Sequence, residues 1–221
     1  PGELSQSDFT SMNSLKIRVA GQPFGHLIYH FVLTYSNWET GTICFSESFE
    51  ALSEGLQNAL FELGGAPRIH QTDCLSAAVR KVGDPEVFTQ RYQGLLDHYG
   101  LRGRRSNPAR PNENGDVEQR HHRLKRSLDQ ALIFRGSRDF DSIEEYQRFL
   151  RKHFSGQNAN RARRFEEERA ALRPLPARRV PEFKKTEKTV GPSATLNIAH
   201  NTYSVPSRLI GERVEVRLYA Q

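Results

Sequence analysis

Around residues 25–35 the chain reads Leu27, Ile28, Tyr29, Phe31, Val32, Leu33 with almost no polar break. Such a β-rich run predicts a central strand buried on both faces. A turn at Ser36-Asn37 leads to a second strand over residues 38–45, with Gly41 expected at a bulge or bend. Residues 4–9 predict a short polar strand that places Asp8. Three strands with short connections predict an antiparallel meander. The period then shifts from two to 3.6. Phe49, Leu52, Leu56, Leu60 and Leu63 mark an amphipathic helix, opened by Ser48 and closed by Gly64-Gly65. Residues 67–72 predict a short strand delivering Asp73, and Asp84-Pro85 opens a helix carrying Phe88, Tyr92, Leu95 and Tyr99 that stops at Gly100. A last strand is predicted over residues 101–105.

Residues 107–115 hold two prolines, three asparagines and a glycine, so regular structure is not expected before Asp116. After it, Val117, Leu124, Leu128 and Leu132, with Ala131, form a helical stripe, and Glu118 lies in its first turn, where a carboxylate meets the positive end of the helix dipole. Ser142-Ile143-Glu144-Glu145 is a capping box, with Ile143, Tyr146, Leu150 and Phe154 expected inward. An Arg/Glu-rich helical piece is predicted over residues 160–172. Pro174, Pro176 and Pro181 among Arg173, Arg178 and Arg179 then predict an extended linker. Beyond it the period returns to two: Leu196 and Ile198, Tyr203 and Val205 across His200-Asn201, then Val214, Val216 and Leu218. These patterns divide the chain into an α/β core over residues 1–136, a helical extension over 137–172, a Pro/Arg-rich linker over 173–182 and a small β-barrel over 183–221. About forty residues make a poor independent core, so the barrel is expected to be incomplete. The chain begins Pro1-Gly2 and stops inside a strand-like pattern, as a fragment of something longer would.

Charge sharpens this division. Residues 1–101 carry 6 Lys/Arg against 11 Asp/Glu, a balance of −5, whereas residues 102–221 carry 26 against 15, a balance of +11. That asymmetry points to a polyanionic partner for the second half, a solvated charged surface being the plainer alternative. Two cysteines, Cys44 and Cys74, exclude a disulfide framework and a zinc module built on paired cysteines, and fit a reducing, cytoplasmic setting. No apolar run approaches the length of a membrane span. No Gly-rich loop followed by Lys-Ser/Thr is present, so ATP use would have to come from another protein.

The run Pro111-Asn112-Glu113-Asn114-Gly115-Asp116-Val117-Glu118 resembles the last acidic motif of integrase-core transposases, specifically the IstA type of bacterial insertion sequences. In that family two aspartates and a helix-borne glutamate form a D,D,E triad. Asp8, followed by the aromatic Phe9, matches the first acid. Asp73 falls where the family places its second, 45 positions before Glu118 (118 − 73). Cys74 departs from the asparagine common after that second acid, and Glu113 and Asp116 compete with Glu118 as the third. The element order, strand-strand-strand-helix-strand-helix-strand-helix, is what a ribonuclease-H-like core requires: a mixed five-stranded sheet with flanking helices.

The resemblance implies that Asp8, Asp73 and Glu118 are both the catalytic residues and the ligands of two Mg²⁺ (or Mn²⁺). Two such cations clamp the attacking and leaving oxygens of a phosphodiester. It implies DNA strand cleavage at transposon ends and transfer of the freed 3′-hydroxyl into target DNA. It also implies homo-oligomeric assembly on double-stranded DNA, a helper AAA+ ATPase, and a cytoplasmic protein associated with the nucleoid when bound to DNA. The basic residues expected to grip the backbone are Arg104, Arg105, Arg110, Arg120, Arg123, Lys125 and Arg126 near the acids. Arg178, Arg179, Lys184 and Lys185 continue that line toward the barrel, and such contacts set position rather than sequence. His121-His122 read as a DNA contact or a surface pair, because adjacent helical residues point in different directions. Two alternatives stand beside this reading: a ribonuclease-H-like nuclease that only hydrolyses, and a catalytically silent DNA-binding fragment.

Overall fold

The structure is a computed structural model. It describes residues 1–72, 85–105, 111–181, 184–198 and 201–219, and does not describe the side chains of residues 85–89, 105, 111–118 and 184. In chain order the elements are β1 (Leu4–Ser11), β2 (Arg18–Val19), β3 (Gln22–Pro23), β4 (Leu27–Leu33), β5 (Glu39–Cys44), α1 (Phe49–Leu63), β6 (Ile69–Thr72), α2 (Pro85–His98), β7 (Arg102–Arg105), α3 (Pro111–Arg135), β8 (Asp139–Phe140), α4 (Ile143–Ala159), α5 (Ala162–Arg169), β9 (Lys184–Thr189), β10 (Thr195–Ile198), β11 (Asn201–Ser204) and β12 (Arg213–Leu218).

The central sheet has the order β5-β4-β1-β6-β7. β5, β4 and β1 form the antiparallel meander, while β6 and β7 join β1 in parallel. Side-chain alternation along β4 decides what each face receives. Tyr29, Phe31 and Leu33 pack with Phe9 against Leu52, Leu56, Leu60 and Leu63 of α1 and Tyr92, Leu95 and Leu96 of α2. Each leucine fully buried there contributes roughly 1.5–3 kcal/mol. Ser48 caps α1 by accepting from the Ala51 N–H at 3.2 Å, and Gly64 closes it at φ 78°. A Cβ on Gly55 would lie 2.4 Å from the Tyr29 ring, so glycine is what lets α1 settle on β4. On the opposite face Ile28 packs with Met12, Leu124, Leu128, Leu132, Tyr146, Leu150 and Phe154, the inner stripes of α3 and α4.

Several expectations need correction. Regular structure was not expected before Asp116, yet α3 begins at Pro111, where proline's fixed φ and missing N–H suit the first helical position. The helix runs through Gly115, whose penalty is only about 1 kcal/mol. Residues 107–110 lie outside the described residues, as does Asp84. Gly41 is no bulge: it pairs in register with His30, and a Cβ there would meet Ile28 at 2.6 Å and Phe154 at 3.0 Å. The capping box holds, with Ser142 Oγ accepting from the Glu145 N–H, but Ile143 is 37% exposed rather than inward. β2, β3 and β8 form a small extra sheet with no counterpart in the sequence pattern, because two-residue strands carry no period.

The 173–181 segment lies on the core instead of hanging free. Ala66 and Arg173 exchange backbone hydrogen bonds, Leu175 and Val180 pack against the α1 face, and Gln57 Oε1 accepts from the Val180 N–H at 2.7 Å. Beyond it, β9 pairs with β12 and β10 with β11 as two separate antiparallel ladders. Among the described residues these ladders do not close a barrel, and the buried apolar side chains in and beside them are Leu196 of β10 and Val190, just past β9.

Candidate active site

Asp8 sits in β1, the middle strand of the sheet. The β1–β4 register places it directly across from His30. On its other side the parallel ladder pairs Ser7 with Thr72, the last residue of β6. Asp73 is the next residue in the chain and lies outside the described residues. Glu118 belongs to α3, one turn before His121, and its side chain likewise lies outside the described residues, as do those of Glu113 and Asp116. Of the three expected acids, the structure therefore describes one carboxylate, together with the helix that contains Glu118 and the strand that ends one residue before Asp73.

That carboxylate occupies a narrow pocket lined by Gln6, Ser7, His30, Val32, Arg120 and His121. Asp8 Oδ1 accepts from the Phe9 N–H at 2.8 Å, and Oδ2 stands 4.0 Å from His121 Nδ1. Burial, together with the neighbouring His30 and Lys125, pushes the His121 pKa down to about 4. At neutral pH the imidazole that faces Asp8 is thus uncharged. His30 stands 5.7 Å from the His121 ring and pairs through Nε2 with Glu39 Oε2 at 2.9 Å. Burial alone would raise the Glu39 carboxyl, but His30 and Arg161 outweigh it and hold the group below its ordinary value. Arg120 reaches across from α3 to donate to Gln6 Oε1 at 2.7 Å, tying the helix to β1 beside Asp8.

His121 is therefore a half-buried residue of the Asp8 pocket rather than half of a plain surface pair. The two do point apart, and only His122 faces solvent. The available signal was His121's position one turn after Glu118, since residues three apart share a helix face. His30 carried no sequence signal, because its place beside Asp8 depends on strand register.

The expected DNA-gripping residues fall in several places. Arg104, Arg123 and Arg126 are exposed, and Arg120 and Lys125 are half-buried. Arg178 is exposed, while Arg179 is held against α1, donating to Asn58 Oδ1 at 2.6 Å and lying over the Phe61 ring. Lys185 pairs with Glu215 at 2.5 Å across β9–β12. Arg110 and the side chains of Arg105 and Lys184 lie outside the described residues. Cys44 is buried, and burial pushes its thiol up to about 12, so it is a packing residue; Cys74 lies outside the described residues.

As an oxygen donor, the Asp8 carboxylate fits a hard divalent cation. Among the described residues no group of three or more His, Cys, Asp or Glu is placed to hold a metal ion, and no helix is long and apolar enough to cross a membrane.

Comparison with known proteins agrees with this architecture. Residues 175–221 match the family described as Mu transposase, C-terminal domain. An uncharacterized protein of Sinorhizobium fredii, y4jA/y4nE/y4sE, is 44% identical over 222 residues, covering 99% of this chain and 44% of that protein. The transposase for insertion sequence element IS232 of Bacillus thuringiensis subsp. berliner is 23% identical over 239 residues, covering 99% of this chain and 52% of that one. The chain thus spans about half the length of the curated relatives it matches. A chain of the simian T-cell lymphotropic virus intasome, solved in complex with PP2A regulatory subunit B56 gamma, superposes with a TM-score of 0.56 at 20% identity, covering 85% of this chain and 62% of that one. That likeness shows the fold, an integrase-like, ribonuclease-H-like α/β core. The relatives matched over the whole chain include a transposase of an insertion sequence element.

Proposed function

We propose that this chain is the catalytic region of a DDE transposase of the IstA type, which cuts DNA at transposon ends and joins the freed 3′-hydroxyl to target DNA. The observation that carries this reading is the sheet itself. Asp8 lies on the central strand, β6 runs parallel beside it toward Asp73, and α3, which contains Glu118, crosses the same face. Asp8, Asp73 and Glu118 would hold the divalent ions, Mg²⁺ or Mn²⁺, whose chemistry there is to neutralise the phosphodiester and activate the attacking oxygen. The chain's own residues do the positioning. Arg120 fixes α3 against β1 through Gln6, and His121 limits access to one side of Asp8 without adding a charge at neutral pH. Exposed Arg104, Arg123 and Arg126 face the backbone of a bound duplex.

The β9–β12 and β10–β11 ladders are in this reading parts of an incomplete small β-barrel that extends the DNA contact. Oligomerisation on paired DNA ends and an AAA+ ATPase helper are part of the same proposal. The test is incubation with Mg²⁺ or Mn²⁺ and a labelled duplex carrying a recessed end. Joined products support a transposase, shortened products alone mean a hydrolytic nuclease, and binding without either means a silent module. Asp73→Asn should abolish joining while leaving salt-sensitive binding intact; retained joining would remove Asp73 from the site.

A further inference from the structure

Next to the Asp8 pocket, and sharing Val32 and Arg120 with it, lies a separate cavity of about 290 Å³ between β4, β5, α3 and α4. At ~30 Å³ per water this is room for about ten waters, the size class of one nucleoside and far too small for a helix. Its wall is apolar at Val32 and Leu124, both almost fully buried. Around that wall stand Asn37, Glu39 and Gln157, with the guanidinium groups of Arg123 and Arg161 beside them. The side-chain amides of Asn37 and Gln157 make no hydrogen bond among the described residues.

This lining distinguishes between ligands. A phosphate would be drawn to Arg120, Arg123 and Arg161, but it gains nothing from Val32 and Leu124. It also offers no donor to the carbonyls of those two amides or to the Glu39 carboxylate, which His30 and Arg161 hold in its charged form. A nucleobase uses every part of it. Its flat face covers the apolar wall and stacks on a guanidinium plane. Its edge meets one carboxylate acceptor and two amides that both donate and accept, a set that suits any base. Its sugar-phosphate would then lie toward Arg120 and Arg123, between the cavity and Asp8.

We propose that this cavity receives a single unpaired nucleobase of the DNA strand held at Asp8. The proposal rests on the DNA-processing reading of the Asp8 pocket and adds to it a base-holding site one step along the strand. An unpaired base is the natural occupant, because it need not be pulled from a stack.

The experiment uses the full chain and a short mixed-sequence duplex with a recessed 3′ end, carrying 2-aminopurine at the first unpaired position of the overhang. Binding should raise the probe's fluorescence several-fold as the base leaves its neighbours. Asn37→Gly keeps the left-handed turn at φ 58°, and Gln157→Leu keeps the helix. Each should lose most of that rise while changing Kd by less than about twofold, and Arg123→Ala should lower the slope of log K against log salt by about one. Duplex binding with no fluorescence rise, or a full rise in both variants, overturns the base site and leaves the DNA reading standing. Absence of any salt-sensitive duplex binding overturns both.

Discussion

The α1 face and the α3 face of the central sheet each hold a histidine whose pKa is pushed down, and the two are employed differently. His70 on the α1 face is fully enclosed. Its Nδ1 is 2.8 Å from Ser5 Oγ, its Nε2 3.0 Å from Ser7 Oγ, and its ring stacks on Phe31. His121 on the α3 face is also held neutral, yet it borders a pocket and looks onto a carboxylate. Burial pushes His70 to about 3; burial with His30 and Lys125 pushes His121 to about 4. A depressed pKa thus marks burial on both faces and chemistry on neither by itself. What separates the faces is how far the apolar packing extends. α1 covers its face from Phe49 to Leu63, whereas among the described residues the apolar contacts of α3 run from Leu132 to Leu124 and give way to His121 and Arg120 over Asp8. The candidate site is the place where that packing stops.

The comparison can be broken most severely at Asp8. If the open end of the α3 face carries the chemistry, Asp8→Asn should reduce metal-dependent cleavage and joining by on the order of a thousandfold or more with little change in melting temperature. Activity near wild type would make that face merely structural. On the closed face, Phe31→Ala should cost about 3–5 kcal/mol in denaturant unfolding, because Phe31 is fully buried among His70, Trp38 and the α1 leucines. A loss below 1 kcal/mol would mean that this face is not the tightly packed one.

Acid should reveal both histidines together. The unfolded chain takes up a proton on each below the ordinary value of 6.5, while the folded chain refuses it until about 3 for His70 and about 4 for His121. Their contribution is therefore complete above pH 6.5 and is lost as the pH falls. At pH 5 the loss should approach about 2 kcal/mol per histidine, measured as the shift in unfolding free energy from pH 7. His121→Asn should remove its share and leave that of His70; an unchanged pH dependence would place His121 in solvent. The smallest effect is local. Ser142→Ala should cost about 1 kcal/mol through the lost cap of α4, with joining activity unaffected.

Much of this architecture was legible in the residue pattern. Phe49, Leu52, Leu56, Leu60 and Leu63 repeat at the helical period between a serine cap and a glycine stop, and α1 has those bounds. The unbroken run ending at Leu33 became the buried strand β4. Where local rules conflict, reading failed. Asn112, Asn114 and Gly115 disfavour a helix, yet Pro111 starts one, and the apolar stripe of Leu124, Leu128 and Leu132 further along the same helix is buried against Ile28. Residues 173–182 read as an extended linker from their prolines, and nothing local announces that Gln57 and Ala66 will bind the backbone of that segment.

The sequence by itself determined the order of elements and the candidate acids Asp8, Asp73 and Glu118, because hydrophobic period, caps and motif are properties of neighbouring residues. Only the tertiary structure decided that His30 faces Asp8, that His121 rather than His122 turns inward, and that Asn37, Glu39 and Gln157 share a cavity. Those juxtapositions depend on strand register and helix docking, which join residues as many as 120 positions apart (37 and 157). No local pattern encodes a distance of that kind.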